Sequence, residues 1–223
     1  MTTRRENLDA LSVALIVVCC ALWALTQVVV KVTLPQMPPM TQGALRSVIA
    51  AICVWLFARH RGIVLLSRED TWPGIWAGVL FGMEFCLIYG GLQFTNASRV
   101  VVFLYLAPFV VALGMPFIAR TERMTLIQSL GLAGAFASLA FAFHEGLSSS
   151  SPVQWIGDAM AIAAAIAWGS TTLLIRATSL SNATPERTLF YQLLVSAPVM
   201  AAAAWATGER PTFGKLRVIH YGS

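Results

Sequence analysis

The 223 residues are 57% hydrophobic and only 11% charged, under half the roughly 25% charged share of soluble domains. So little charge cannot keep a globular surface wet, which excludes a soluble protein and leaves one whose solvent is itself apolar. The net charge of +5 follows from loop placement and gives no reason to expect nucleic acid as a partner.

The predicted elements, in chain order, are seven stretches near the ~20 residues a helix needs to cross the hydrocarbon. The first, 11–31, follows Arg4 and Arg5 but is longer than a signal-peptide core, so it is expected to stay as an uncleaved span. It carries Trp23-Ala24-Leu25-Thr26, then Gln27, Lys31 and Thr33. The second, 40–58, contains Arg46. The third, 72–92, opens near Pro73 and places Gly74, Gly78 and Gly82 at four-residue spacing, the small-residue pattern that lets two membrane helices approach closely. The same helix carries Glu84, where a lipid-facing charge costs at least ~2.5–3.5 kcal/mol. The fourth, 98–118, contains Pro108, which removes one backbone hydrogen bond and should kink the helix, as a hinge or as fixed shape. The fifth is 125–144. The serine run in 146–151 is a linker, and Ser151-Pro152-Val153-Gln154 is a capping-box start for the sixth stretch, 155–175. The seventh, 188–207, opens at Thr184-Pro185-Glu186, and a polar, basic tail covers 209–223.

Charge asymmetry sets the expected orientation. Arg4, Arg5, Arg59, Arg61, Arg68, Arg120, Arg123, Arg176 and Arg187 fall on one side of this threading, and little beyond Lys31 and Arg99 falls on the other. The excess marks the cytoplasmic face and places the N-terminus there; the tail cations Arg210, Lys215 and Arg217 depart from the pattern. His144 and Asp158 are expected at the outer surface, solvated.

The chain also repeats itself. Trp168-Gly169-Ser170-Thr171, with Arg176 and Thr178 beyond, echoes the Trp23 segment 145 residues earlier. Five helices in the first half put the second half upside down, the inverted-repeat plan of many transporters. The expected organisation is a five-helix repeat over 1–150, two helices of a second repeat over 151–208, and the tail. A complete second repeat would take roughly 75–85 more residues.

Ala21-Leu22-Trp23, Ala44-Leu45-Arg46, Tyr105-Leu106-Ala107-Pro108, Thr121-Glu122-Arg123 with Gly131, Gly157-Asp158-Ala159 and Ala167-Trp168-Gly169 follow one another along the chain. Together they resemble the motifs of the EamA-type permeases of the drug/metabolite transporter superfamily. The resemblance implies an all-α polytopic membrane fold and a permease that moves, and in many members exports, a small organic metabolite such as an amino acid. It implies ten helices where seven are counted, so the competing expectation is a transport-inactive membrane fragment; homo-oligomerisation would be one way to complete the cavity.

The residues named for the solute pathway or its coupling are Glu84, Arg46, Trp23, Gln27, Trp168 and Thr171. Glu84 is a protonatable site or a paired structural carboxyl, and Arg46 lies at a matching depth, as an ion partner or in a shared polar cavity. Trp23 and Trp168 either pack or stack on a cationic or aromatic solute; Thr171 and Gln27 hydrogen-bond solute or neighbouring helix. No hydrolase, metalloprotease or phosphate-loop motif occurs, and Cys19, Cys20, Cys53 and Cys86 lack metal-ligand spacing. Neither enzyme activity, metal nor cofactor is expected. The expected partners are the lipid bilayer, here a bacterial inner membrane, and the solute.

Overall fold

The computed structural model of the protein describes residues 13–19, 21, 22, 25, 37–119, 125–142, 144 and 151–209. Residues 13–19, 21, 22 and 25 are helical and form α1. There follow α2 (Pro39–Arg61), α3 (Arg68–Gly91), α4 (Ala97–Leu104), α5 (Ala107–Ile118), α6 (Leu126–Ala142), α7 (Gln154–Ala177), a 3₁₀ turn at Ser179–Asn182, and α8 (Pro185–Ala206). No strand occurs among the described residues. This is an all-α polytopic membrane fold of about seven helices, with α4 and α5 sharing the span Ala97–Ile118. Outward faces are apolar where water would not tolerate it: Leu45, Ile49, Ile52 and Leu56 are all exposed along α2.

The helix starts follow local chemistry. Pro39 and Pro185 occupy the first turns of α2 and α8, where no backbone donor is needed. The Gln154 side chain reaches back to accept from the Ser151 N–H at 3.0 Å, one arm of the expected capping box. Helix α3 begins at Arg68, earlier than expected, which puts Pro73 inside it. The Glu69 carbonyl, left without the donor Pro73 lacks, accepts instead from Ser179 Oγ at 3.1 Å. Pro108 acts more strongly than a kink. With no N–H to offer the Leu104 carbonyl, the chain ends α4 there and starts a new helix at Ala107. The Leu106 N–H turns to Phe103 O (3.0 Å) and the Phe109 N–H to Leu106 O (2.9 Å), closing the break with tighter turns.

The packing runs as a row: α2 lies on α8, α8 on α3, α3 on α7, and α7 on α4 and α5; α6 leans on this end of the row, where Phe109 and Phe136 meet edge to face at 5.6 Å. Glycines bring the helices close. A Cβ on Gly74, Gly78 or Gly82 would come within 2.4, 2.5 and 2.9 Å of Tyr191, Val195 and Val199, so α3 and α8 run parallel in steady register. On the other side of α3, Gly91 abuts the Gly157 backbone; farther along α7, Gly169 faces Val110 and Gly114 faces Leu173. Between α2 and α8, Ser47 and Ser196 are almost fully buried and joined at 3.2 Å.

Polar clamps hold both ends of the row. At the end where α2 finishes, Arg187 pairs with Asp70 at 2.8 Å and donates to the Val64 carbonyl at 2.8 Å; the Tyr191 hydroxyl donates to the Ser67 carbonyl and accepts the Ser67 N–H, each at 3.2 Å. At the opposite end Glu209 takes the Met40 and Thr41 N–H groups (3.2 and 2.9 Å) and the Thr41 hydroxyl (3.0 Å), capping α2 from across the interface.

Candidate functional site

Helix α3 places Glu84 on the line Ala77–Glu84–Gly91, where residues seven apart share one face. Gly91 on that line abuts α7, whereas the glycine row beginning at Gly74 faces α8. Two contacts fix the antiparallel register of α3 on α7, Gly91 at Gly157 and Glu69 at Ser179. That register sets Glu84 level with Ala164, in a stretch of α7 built of small side chains, where Ala161 and Ala164 are fully buried. Glu84 itself is 6% exposed, and its Oε2 has no hydrogen-bond partner. Buried polar atoms are otherwise partnered in nearly every case, so this oxygen is an acceptor held out of water without a donor.

Arg46 stands at the same depth, seven residues from the start of α2 as Glu84 is seven from the end of α3, ~10 Å along each helix. The two do not form an ion pair. The Arg46 guanidinium lies over the Phe85 ring, 4.8 Å from its centroid, and beside the Tyr89 hydroxyl. The reason is angular: Phe85 and Tyr89 are one turn apart and face α2, while Glu84 is turned ~100° from Phe85 toward α7. Gly43 permits this closeness, since a Cβ there would sit 3.1 Å from the Tyr89 ring.

On α7, Thr171 is buried and donates to the Ala167 carbonyl at 2.9 Å within its own helix, as Thr172 does to Trp168 O at 3.2 Å. Trp168 is 38% exposed, its ring open to the surroundings of the row. Trp23 and Gln27 lie outside the described residues. Arg176 is exposed at the end of α7. Cys19 and Cys53 are exposed and Cys86 half-buried, all free thiols; no group of three or more His, Cys, Asp or Glu that could hold a metal occurs among the described residues.

Asp158 corrects the expectation of a solvated carboxylate. It takes Arg99 Nε and Thr95 Oγ1 on one oxygen at 3.0 Å each and Arg99 Nη2 on the other, with both partners about 15% exposed. The pairing ties Thr95, in the turn before α4, and Arg99, in its first turn, to the start of α7. It was legible in principle, since an arginine and an aspartate open two helices on the same side of the membrane. His144 is exposed, its ring nitrogen 3.0 Å from the Phe141 carbonyl.

Comparison with known proteins fixes the class. The sequence pattern of the EamA-like transporter family matches residues 10–144, more than half of the chain. The chain belongs to the EamA-like transporter family. Among curated proteins, this EamA-like chain is 25% identical over 150 residues to the Uncharacterized transporter YoaV of Bacillus subtilis (strain 168). The aligned part is 66% of this chain and 51% of YoaV, so the chain spans about half the length of the curated relative it matches. No solved structure matches it. Family membership, together with the membrane-length apolar helices, makes the protein a multi-pass membrane protein of a transporter family.

Proposed function

We propose that this EamA-like protein moves a small organic solute, such as an amino acid, outward across the bacterial inner membrane, and that Glu84 receives the solute's ammonium group or a coupling proton. The observation that carries this reading is the buried, unpartnered Glu84 Oε2 at mid-helix. A carboxyl at that depth is costly unless a cation or proton visits it, and intramembrane carboxyls that persist at such cost commonly mark transport paths. Arg46, held by Phe85 and Tyr89 at the same depth but not spent on Glu84, is the group for a solute's anionic end. Trp168 supplies an open ring beside the path, and the break at Pro108 supplies a joint in its wall. Thr171, which spends its hydroxyl on its own helix, contributes packing.

The repeat reading has support in the clamps. Each carboxylate follows one of the two helices α2 and α8 and fastens the first turn of the other: Asp70 on Arg187, Glu209 on Thr41. Arg187 and Thr41 are both the third residue of their helix, a matching position of the kind an inverted repeat produces.

The test is efflux from liposomes reconstituted with the chain and loaded in turn with cationic, neutral and anionic radiolabelled amino acids. Wild type should release at least one faster than protein-free liposomes, and Glu84→Gln, reconstituted to the same level, should release it at least tenfold more slowly. Equal rates for the two proteins remove Glu84 from the mechanism; no efflux of any amino acid removes that solute class for this chain.

A further inference from the structure

The last turn of α2 carries Arg59, His60 and Arg61 in succession, all exposed. Three consecutive helical residues sweep ~200°, so they form an arc of basic side chains around the end of one helix. Among the described residues these side chains take part in no ion pair; the pairs there are Arg99–Asp158 and Arg187–Asp70. The carbonyls of that turn are already served by the backbone, Gly62 N–H to Arg59 O at 3.4 Å and Ile63 N–H to Ala58 O at 2.9 Å.

Each arginine instead lies against an aromatic ring one turn deeper in the membrane. Arg59 sits over Trp55 at 5.8 Å and Arg61 over Phe57 at 5.6 Å, and both rings are exposed, by 46% and 47%. The spacing recurs across the short connection to α3, where exposed Arg68 precedes Trp72, 70% exposed, by one turn.

We propose that the end of α2 is a binding site for the headgroup of an anionic phospholipid. The stack presents an apolar ring where acyl chains begin and a planar, doubly donating cation where the phosphate lies, the two chemistries that a lipid joins in one molecule. A zwitterionic lipid brings its own cation to the phosphate, so unpaired guanidiniums select for net negative charge.

Native mass spectrometry of the full chain, released from detergent with equal amounts of phosphatidylglycerol and phosphatidylcholine of matched acyl chains, reads the preference directly. Adducts should favour phosphatidylglycerol, by roughly fivefold for each arginine engaged. The double variant Arg59→Gln/Arg61→Gln should lose most of this preference, and Arg59→Lys/Arg61→Lys should keep most of it. Inorganic phosphate at the lipid concentration should leave the adducts in place, which separates a lipid site from a free-anion site. A double Gln variant with the wild-type preference overturns the proposal. Should that variant fail to fold, the wild type decides alone: its preference must collapse at high salt, and persistence there overturns the proposal equally.

Discussion

The α3–α8 contact is where the sequence and the packing make their sharpest joint prediction. At Gly78 a Cβ would lie 2.5 Å from Val195 Cβ and 2.8 Å from the Tyr191 carbonyl oxygen, where ordinary contact begins at 3.4 Å. Neither atom is the far end of a flexible side chain, so Gly78→Ala must push the two helices apart by close to an ångström. That shift also loosens the flanking contacts of Gly74 with Tyr191 and Gly82 with Val199. Overpacking of this kind costs typically ~1–3 kcal/mol, partly offset by the ~1 kcal/mol by which Ala exceeds Gly as a helix former. The net expectation is a loss of up to about 2 kcal/mol, or up to roughly 8 °C in thermal unfolding for a chain of this size, and about 1–3 kcal/mol relative to an unhindered Gly→Ala change. Gly131→Ala is the matched control, because its Cβ meets nothing within 4 Å; it should be neutral or slightly stabilising. Thermal unfolding in detergent, followed by helical circular dichroism, reads both. A Gly78→Ala protein as stable as Gly131→Ala would refute the close parallel packing of α3 on α8.

Further outcomes follow from the clamps. Tyr191→Phe deletes the hydroxyl that bridges both backbone groups of Ser67 and should cost ~1–2 kcal/mol in the same unfolding assay, with no change expected from Tyr105→Phe on the exposed side of the α4–α5 break. A double-mutant cycle on Arg99→Gln and Asp158→Asn should return a coupling of about 1 kcal/mol or a little less, since the pair is bidentate but partly solvated; zero coupling would mean that it does not hold α4 to α7. Glu209→Ala strips the cap from α2 and should cost ~0.5–2 kcal/mol, with faster amide exchange at Met40 and Thr41 as the local signature; unchanged exchange there contradicts the cap.

Much of the fold could be read in the residues because it depends on pattern and punctuation. Apolar length marked the spans, and prolines at Pro39 and Pro185 marked helix starts. The glycine spacing at Gly74, Gly78 and Gly82 gave the row its contact face, but not the partner, since α8 comes more than a hundred residues later. A proline at 108 predicts a kink, because it removes one hydrogen bond; that the chain restarts the helix instead depends on how Leu106 and Phe109 re-pair locally. The site was legible in depth and not in azimuth. Counting residues put Arg46 and Glu84 at one level, yet facing is decided by where each helix is turned, and α7, on the far side of α3 from α8, draws Glu84 away from Arg46. The two clamps at the ends of the row are not legible in the sequence, because each joins groups more than a hundred residues apart, across helix pairs that only the packed row defines.

The most direct test of the central claim is chemical labelling of Glu84 with a membrane-permeant carbodiimide, which reacts with carboxyls shielded from water, followed by peptide mass spectrometry. Glu84 should be labelled in the folded protein in liposomes, and a solute the protein transports should slow the labelling severalfold while a non-transported solute of the same charge does not. Labelling at the same rate with and without the transported solute would contradict that claim.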